Sequence, residues 1–137
     1  MIVVAFAVPK SPSDMTISFT PNVVSQSVLK SQIQKLQNQG KKVLLSIGGA
    51  TASIDLTATA NKNAFVTSIT DLLDTYGFDG VDIDIEHGNS IIISGGTIAT
   101  PHNTAQVNLI DAIKLIMANY RSTHFRKLLL TMAPETA

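Results

Sequence analysis

The sequence has no cysteine among its 137 residues, so it can build no disulfide framework and offers no thiol nucleophile. It has no excess of charge either, because 10 basic residues balance 10 acidic ones without forming a basic stripe. That balance argues against a nucleic-acid partner, since phosphate binding needs a basic surface. The longest apolar run, Ile2 to Val8, is far shorter than the roughly 20 residues of a membrane-spanning helix. We therefore expect neither a nucleic-acid nor a membrane partner.

The apolar run also lacks the features of a signal peptide. No basic stretch precedes Ile2, and Pro9 and Lys10 follow Val8 in place of a small-residue cleavage site. We expect no export signal in this chain. The absence of cysteine fits both a reducing compartment and a secreted protein, so the localisation stays open.

Composition and hydrophobic periodicity predict one globular domain, residues 1–137, of the α/β class. The chain is 45% hydrophobic and 15% charged, which is typical of a folded domain. Short valine- and leucine-rich runs alternate with longer segments of helical periodicity. The predicted strands are Ile2 to Val8, Lys42 to Ile47, Gly80 to Ile85 and Leu128 to Met132, and the predicted helices are Ser25 to Gln39, Asn63 to Tyr76 and Thr104 to Tyr120.

Alternating strands and helices predict a parallel sheet, either an open doubly wound sheet or part of a (β/α) barrel. Two features favour the barrel. The first strand is followed by prolines at positions 9 and 12 rather than by a glycine-rich phosphate loop. The third strand alternates carboxylates with aliphatic residues, as a barrel strand with a polar interior would.

The segment Asp79 to Glu86 carries the strongest functional signal. Side chains two residues apart share one face of a strand, so Asp82, Asp84 and Glu86 point one way and the intervening aliphatic residues point the other. Burying three like charges costs free energy through desolvation and repulsion. The pattern therefore indicates a function rather than a contribution to stability.

Two alternative roles for these acids fit the sequence less well. A solvated strand at a sheet edge is disfavoured, because Val81, Ile83 and Ile85 require packing on the opposite face. A magnesium or calcium site is also disfavoured, because these carboxylates lie on a rigid strand without an asparagine- or glycine-bearing ligand loop. General acid catalysis fits better, with Glu86 at the carboxyl end of the strand, where barrel enzymes have their active sites.

Three motifs resemble family 18 of the glycoside hydrolases, the chitinases and endo-N-acetylglucosaminidases. The family's Asp-Gly-x-Asp-x-Asp-x-Glu strand is complete in Asp79 to Glu86, and its Ser-x-Gly-Gly motif matches Ser46 to Gly49. The segment Thr131 to Glu135, Thr-Met-Ala-Pro-Glu, is similar to the family's next strand. The resemblance implies part of a (β/α)8 TIM barrel, about strands 2 to 5 with the intervening helices.

The resemblance also implies a mechanism that needs no cofactor and no metal. Glu86 would protonate the glycosidic oxygen while the substrate's own N-acetyl oxygen attacks the anomeric carbon. Asp84 would orient the acetamido group, and Asp82 would share a proton with Asp84. The expected substrate is chitin or a chito-oligosaccharide.

Five further residues are expected to bind substrate or to support the acids. Ser46 would donate a hydrogen bond behind the aspartates, and Met132 would help to form the floor of the sugar site. The other three are Gly48 and Gly49 of the glycine pair and Asp79, which is out of phase with the other acids and is expected to be structural.

The resemblance also shows what this sequence lacks. The family's first strand and last three strands have no counterpart, and the sequence contains no tryptophan for the family's tryptophan floor. A complete barrel needs about 200 residues or more, so we expect an incomplete barrel that is inactive by itself or self-associates through open sheet edges.

Two other functions remain open. An endo-β-N-acetylglucosaminidase acting on N-glycans would share the same acids and differ only in its loops. A non-catalytic, lectin-like sugar-binding protein is the second, although such relatives typically lose the acid glutamate. The loop from His87 to Asn103 would form one wall of the cleft.

Overall fold

The computed structural model describes residues 1–88, 97 and 99–134. Its strands are β1 (Ile2–Ser11), β2 (Asp14–Ser18), β3 (Val43–Gly48), β4 (Gly80–Asp84) and β5 (Leu129–Met132). Its helices are α1 (Gln26–Asn38), α2 (Thr59–Tyr76) and α3 (Thr104–His124).

The strands form one sheet in the order β2-β1-β3-β4-β5. The last four are parallel neighbours, each joined to the next by a single helix, whereas β2 folds back antiparallel on the end of β1. This is the strand and helix arrangement of part of a (β/α)8 barrel, as the sequence predicted.

The apolar core lies between the sheet and the three helices. Strands β3 and β4 contribute alternate residues to it, such as Val43, Leu45 and Ile83. The helices contribute their apolar faces, including Ile33 of α1, Phe65, Ile69 and Leu73 of α2, and Ala112, Ile116 and Tyr120 of α3. One face of the sheet is therefore covered by helices, and the acids of β4 belong to the other face.

Local signals account for the ends of the helices. The Ser25 hydroxyl accepts a hydrogen bond from the Val28 N–H at the start of α1, and the Asn103 side chain does the same for the Ala105 N–H at the start of α3. Helix α2 ends at Gly77, whose φ of 76° is the left-handed conformation that glycine adopts without steric cost.

The structure extends several predicted elements. Helix α2 begins at Thr59 rather than Asn63, and α3 continues to His124 rather than ending at Tyr120. Strand β1 continues through Pro9 to Ser11, because beyond Ala7 it pairs with β2 alone and behaves as an edge strand, where proline is tolerated.

Strand β2 was not predicted. Its residues Met15 and Ile17 are buried, and the Ile17 N–H donates to the Ser68 hydroxyl of α2 at 2.8 Å. Tertiary packing against α2 therefore holds this short strand in place. In the described part of the chain, no helix combines the length and the apolar character needed to cross a membrane.

Candidate active site

Strand β4 displays its acids as the alternation of residues predicts. Val81, Ile83 and Ile85 are buried on the helix side, while Asp82, Asp84 and Glu86 are partly exposed. Glu86 lies just beyond the last residue of the strand, at its carboxyl end. The three carboxyl groups thus project in a row from one sheet face toward the end of the strands.

The Asp82 carboxylate accepts one hydrogen bond from each neighbouring strand. The Ser46 hydroxyl of β3 donates to Oδ2 at 2.8 Å, and the Thr131 hydroxyl of β5 donates to Oδ1 at 2.6 Å. The register explains the contact, because Ser46, Asp82 and Thr131 lie side by side across three parallel strands. Two hydroxyl donors hold this carboxylate in one orientation.

The glycine pair lets β3 and the loop after it approach β4 closely. Gly48 has a φ of 116°, and a Cβ at this position would lie 2.1 Å from the Asp84 carbonyl oxygen. The Gly49 N–H donates to that same oxygen at 2.7 Å. A side chain at position 48 would therefore push β3 away from the backbone that carries Asp84.

The loop between β3 and α2, residues 49–58, also contacts the chain just beyond Glu86. The Ile54 N–H donates to the His87 carbonyl at 3.0 Å, and Ser53 and His87 form a short parallel bridge. Gly88 packs so closely on Ile54 that a Cβ there would lie 2.0 Å from the Ile54 carbonyl oxygen. This loop therefore anchors the backbone on the carboxyl side of Glu86.

Phe6 is an aromatic residue near this end of the sheet that belongs to none of the three sequence motifs. Its ring is 45% exposed and lies against Gly49. Although the run from Ile2 to Val8 is apolar throughout, Val3, Ala5 and Phe6 are exposed, whereas Ala7 is buried in the core. Phe6 therefore leaves an apolar aromatic surface partly exposed next to the glycine pair.

The whole chain, residues 1–137, matches the profile of the family described as Glycosyl hydrolases family 18. The chain belongs to this family. Chitinase D of Niallia circulans is 41% identical over 140 residues, which cover 100% of this chain and 26% of that protein. Exochitinase 1 of Streptomyces olivaceoviridis is 40% identical over 144 residues, covering 99% of this chain and 24% of that protein.

Solved family 18 structures share the fold. A GH18 chitinase from Chromobacterium violaceum superposes with a TM-score of 0.78 at 33% identity, covering 98% of this chain and 33% of that chain. The C-terminal domain of Legionella pneumophila ChiA gives a TM-score of 0.68 at 32% identity, and the match covers 96% of this chain and 39% of that chain. The chain spans about a quarter of the length of the Niallia and Streptomyces chitinases.

Asp79, the first acid of the family 18 motif, lies apart from the others. It precedes β4 at the amino end of the strand, about 16 Å along the chain direction from Asp84. Its carboxylate is 2% exposed and accepts hydrogen bonds from the Val43 N–H, the Gln37 amide and the Arg126 guanidinium. The structure therefore places Asp79 in a buried anchor between strands and not with Glu86.

The surroundings of Asp79 favour its charged form. Burial alone would raise the pKa of Asp79, but the hydrogen bonds from Val43, Gln37 and Arg126, together with the Arg126 charge, hold this pKa below its ordinary value of 3.8. Arg126 lies in the turn between α3 and β5. Its 2.6 Å contact with Asp79 gives it a structural role that its sequence position did not reveal.

On β5 the structure brings Thr131, not Met132, to the acids. Met132 pairs in register with Ile83, which faces the helices, and it is 52% exposed. Because side chains alternate along a strand, Met132 lies on the sheet face opposite Asp82. It was expected instead on the face of the acids, as part of the floor of the sugar site. Thr131 could have been identified from the same alternation, had the register of β5 against β4 been known.

Part of the predicted cleft lies outside the described residues. This applies to most of the loop from His87 to Asn103, specifically residues 89–96 and 98, and to Glu135 of the third motif. Within this loop, the His87 side chain is exposed, and the His87 carbonyl accepts the hydrogen bond from the Ile54 N–H. In the described ranges, no group of three or more histidine, aspartate or glutamate side chains could hold a metal ion.

Proposed function

We propose that this chain carries the proton donor of a chitinase that hydrolyses β-1,4-linked N-acetylglucosamine polymers with retention of configuration. In this reaction the Glu86 carboxyl donates its proton to the glycosidic oxygen as the bond from that oxygen to the anomeric carbon breaks. The substrate's N-acetyl carbonyl oxygen bonds to the same carbon from the other side. Water then attacks that carbon and releases the N-acetyl oxygen, while the Glu86 carboxylate takes up the proton of the water.

The other acids have distinct parts in the proposal. Asp84, between Asp82 and Glu86 on the same face, orients the acetamido group and stabilises the positive charge that develops on it. Asp82 supports Asp84, and Ser46 supports Asp82 by its hydrogen bond. Gly48 and Gly49 bring β3 and its loop close to the backbone of Asp84.

One observation carries the proposal: three acids project in sequence from one face of β4, and the outermost, Glu86, stands at the carboxyl end of the parallel strands. That end is where (β/α) barrel enzymes bind their substrates. The names of the relatives support chitin as the substrate class, since the proteins from Niallia and Streptomyces are called chitinases.

The first test is the release of a fluorescent aglycone from chitobiose and chitotriose glycosides by the intact protein that carries this chain. Glu86→Gln keeps the size and polarity of the side chain but removes the donated proton, so turnover should fall by about 100-fold or more. Asp71→Asn, a similar change on the exposed side of α2, is the matched control and should leave turnover unchanged. Full activity of Glu86→Gln would refute the assignment.

A second measurement tests the participation of the substrate. A chito-oligosaccharide whose reacting sugar lacks its acetyl group has no oxygen to attack the anomeric carbon, so it should not be cleaved. Cleavage of this compound at the rate of the acetylated one would contradict the substrate-assisted step. Turnover of N-glycans but not of chitotriose would identify an endo-β-N-acetylglucosaminidase, and sugar binding without turnover would identify a lectin.

A further inference from the structure

Asn108 is a buried polar residue on the apolar face of helix α3. This face otherwise contains residues such as Ala105, Ala112 and Ile116, whereas Asn108 is only 9% exposed. Its side-chain amide donates to the Leu56 carbonyl at 2.6 Å and lies 3.3 Å from the Thr57 carbonyl. A buried amide at a position suited to an apolar side chain calls for a reason other than core packing.

The two carbonyls belong to the loop of residues 49–58, and several contacts hold that loop. Ala52, Ile54 and Leu56 are buried, the Asn61 amide of α2 donates to the Asp55 carbonyl at 3.2 Å, and the Asp55 N–H meets the Met15 sulfur at 3.4 Å. Helices α2 and α3 and strand β2 therefore all contribute to the position of this loop.

Another part of the same loop contacts the backbone next to the proposed proton donor, Glu86. Ile54, two residues before Leu56, donates its N–H to the His87 carbonyl and packs against Gly88. His87 directly follows Glu86, and adjacent Cα atoms are about 3.8 Å apart. A shift of Ile54 would therefore move the backbone from which the Glu86 side chain projects.

We propose that Asn108 is a positioning residue for Glu86, acting through the buried 49–58 loop. This inference rests on the proposed role of Glu86 as proton donor. Asn108 does not touch the substrate in this proposal. It holds the Leu56 and Thr57 carbonyls, and these hold Ile54 against His87 so that the Glu86 carboxyl is aligned with the glycosidic oxygen.

The test compares two leaving groups in the intact protein. A sugar hydroxyl leaves only when it is protonated, whereas 4-nitrophenolate leaves well without a proton, so only the first reaction depends strongly on an aligned acid. Asn108→Leu keeps the approximate shape of the side chain and removes both donors. We expect kcat on chitotriose to fall by about tenfold and kcat on the 4-nitrophenyl chitobioside to fall by about twofold or less, with little change in KM.

Gln37→Met is the matched control. The Gln37 amide also donates to a backbone carbonyl, that of Gly77 at 2.8 Å, and to the Asp79 carboxylate at 3.0 Å, but both bonds lie at the opposite end of the sheet. Its removal should lower the unfolding midpoint and leave the ratio of the two kcat values unchanged. If Asn108→Leu does not fold, Asn108→Ser, which keeps one donor and leaves room for a bridging water, should change the ratio in the same direction.

The outcomes separate this inference from the proposed function. If wild-type turnover does not depend on Glu86, the proposed function fails, whatever Asn108 does. If turnover depends on Glu86 but both Asn108 variants keep the wild-type ratio of leaving-group rates, Asn108 is only structural and the inference is overturned. A ratio that changes for Asn108→Leu but not for Gln37→Met supports it.

Discussion

At the scale of single residues, the Asp82 carboxylate links three strands through two hydroxyl groups. Ser46 and Thr131 donate to different oxygens of this carboxylate, so neither can be removed without leaving one oxygen without its protein donor. Loss of one partner of a buried hydrogen bond costs about 1 to 3 kcal/mol. The orientation of Asp82 therefore depends on β5 as much as on the serine of the family motif.

Thr131→Val tests this dependence. Valine keeps the shape of threonine but cannot donate to Asp82, so we expect kcat/KM to fall by about tenfold and stability by about 1 kcal/mol. Both can be measured on one preparation, by steady-state hydrolysis of chitotriose and by urea unfolding.

Thr70→Val is the matched control for this substitution. The Thr70 hydroxyl is also partly buried, but it donates at 2.8 Å to the Val66 carbonyl of its own helix, α2, rather than to an acid of β4. It should change stability slightly and kcat/KM not at all. Equal kcat/KM for the two variants would show that Thr131 has no part in the function of Asp82.

The lowered pKa of Asp79 predicts that the protein loses stability in acid. Because the pKa of Asp79 is lower in the folded chain than its ordinary value of 3.8, its charge contributes stability that is fully present above about pH 5. That contribution is lost as the pH falls below about 4 and through the folded pKa. Burial opposes this shift, and the hydrogen bonds from Val43, Gln37 and Arg126 outweigh it.

Asp79→Asn should therefore destabilise the protein at pH 7, and its effect should diminish as the pH falls below about 4, where the Asp79 carboxyl of the unfolded wild-type chain becomes protonated. Urea unfolding of both proteins between pH 3 and pH 7 measures the difference. A constant difference over this range would show that the Asp79 charge does not contribute to the fold.

At the scale of elements, the distance between β3 and β4 depends on the absence of a side chain at Gly48. Because a Cβ would lie 2.1 Å from the Asp84 carbonyl oxygen, Gly48→Ala must separate the strands or distort the backbone under Asp84. We expect it to lower the free energy of unfolding by roughly 3 kcal/mol and to lower turnover sharply.

Gly40→Ala isolates this steric effect from the effect of backbone conformation. Gly40 also has a positive φ, 77°, but nothing lies within 4 Å of its added Cβ. Gly40→Ala should lower the free energy of unfolding by only about 1 to 2 kcal/mol, the cost of the left-handed conformation for alanine. Similar losses for the two variants, measured by urea unfolding, would contradict the close approach at Gly48.

At the scale of the whole molecule, β5 presents a row of exposed apolar side chains. Leu129, Leu130 and Met132 are all at least 36% exposed, and among the described residues β5 has a neighbouring strand on one side only. An unpaired strand with apolar side chains is a site for association with another chain. The expectation of self-association through open sheet edges applies to this edge.

We predict that the 137-residue chain, prepared alone, forms oligomers whose population rises with concentration. Charge on the edge should oppose this, so Leu130→Lys with Met132→Lys should shift the sedimentation profile toward monomer. Val23→Lys is the control, because Val23 is 93% exposed but lies far along the chain from β5. A monomer at every concentration would contradict the prediction.

The order of strands and helices and the row of acids on β4 could be predicted because both depend on local pattern. Side chains alternate along any strand with a period of two, so the segment Asp79 to Glu86 is enough to place Asp82, Asp84 and Glu86 on one face. Gly77 likewise ends its helix through its own backbone freedom. These properties need no knowledge of distant residues.

The contacts that orient the acids could not be predicted, because they depend on register and packing between segments far apart in the chain. Thr131 reaches Asp82, and Met132 does not, only because β5 lies beside β4 in one register, and a shift of one residue would reverse their faces. The Asn108 contact with the 49–58 loop likewise requires α3 to pack against that loop. Hydrogen bonds across about 50 residues of chain are set by the folded core as a whole, which is why the tertiary structure alone decides them.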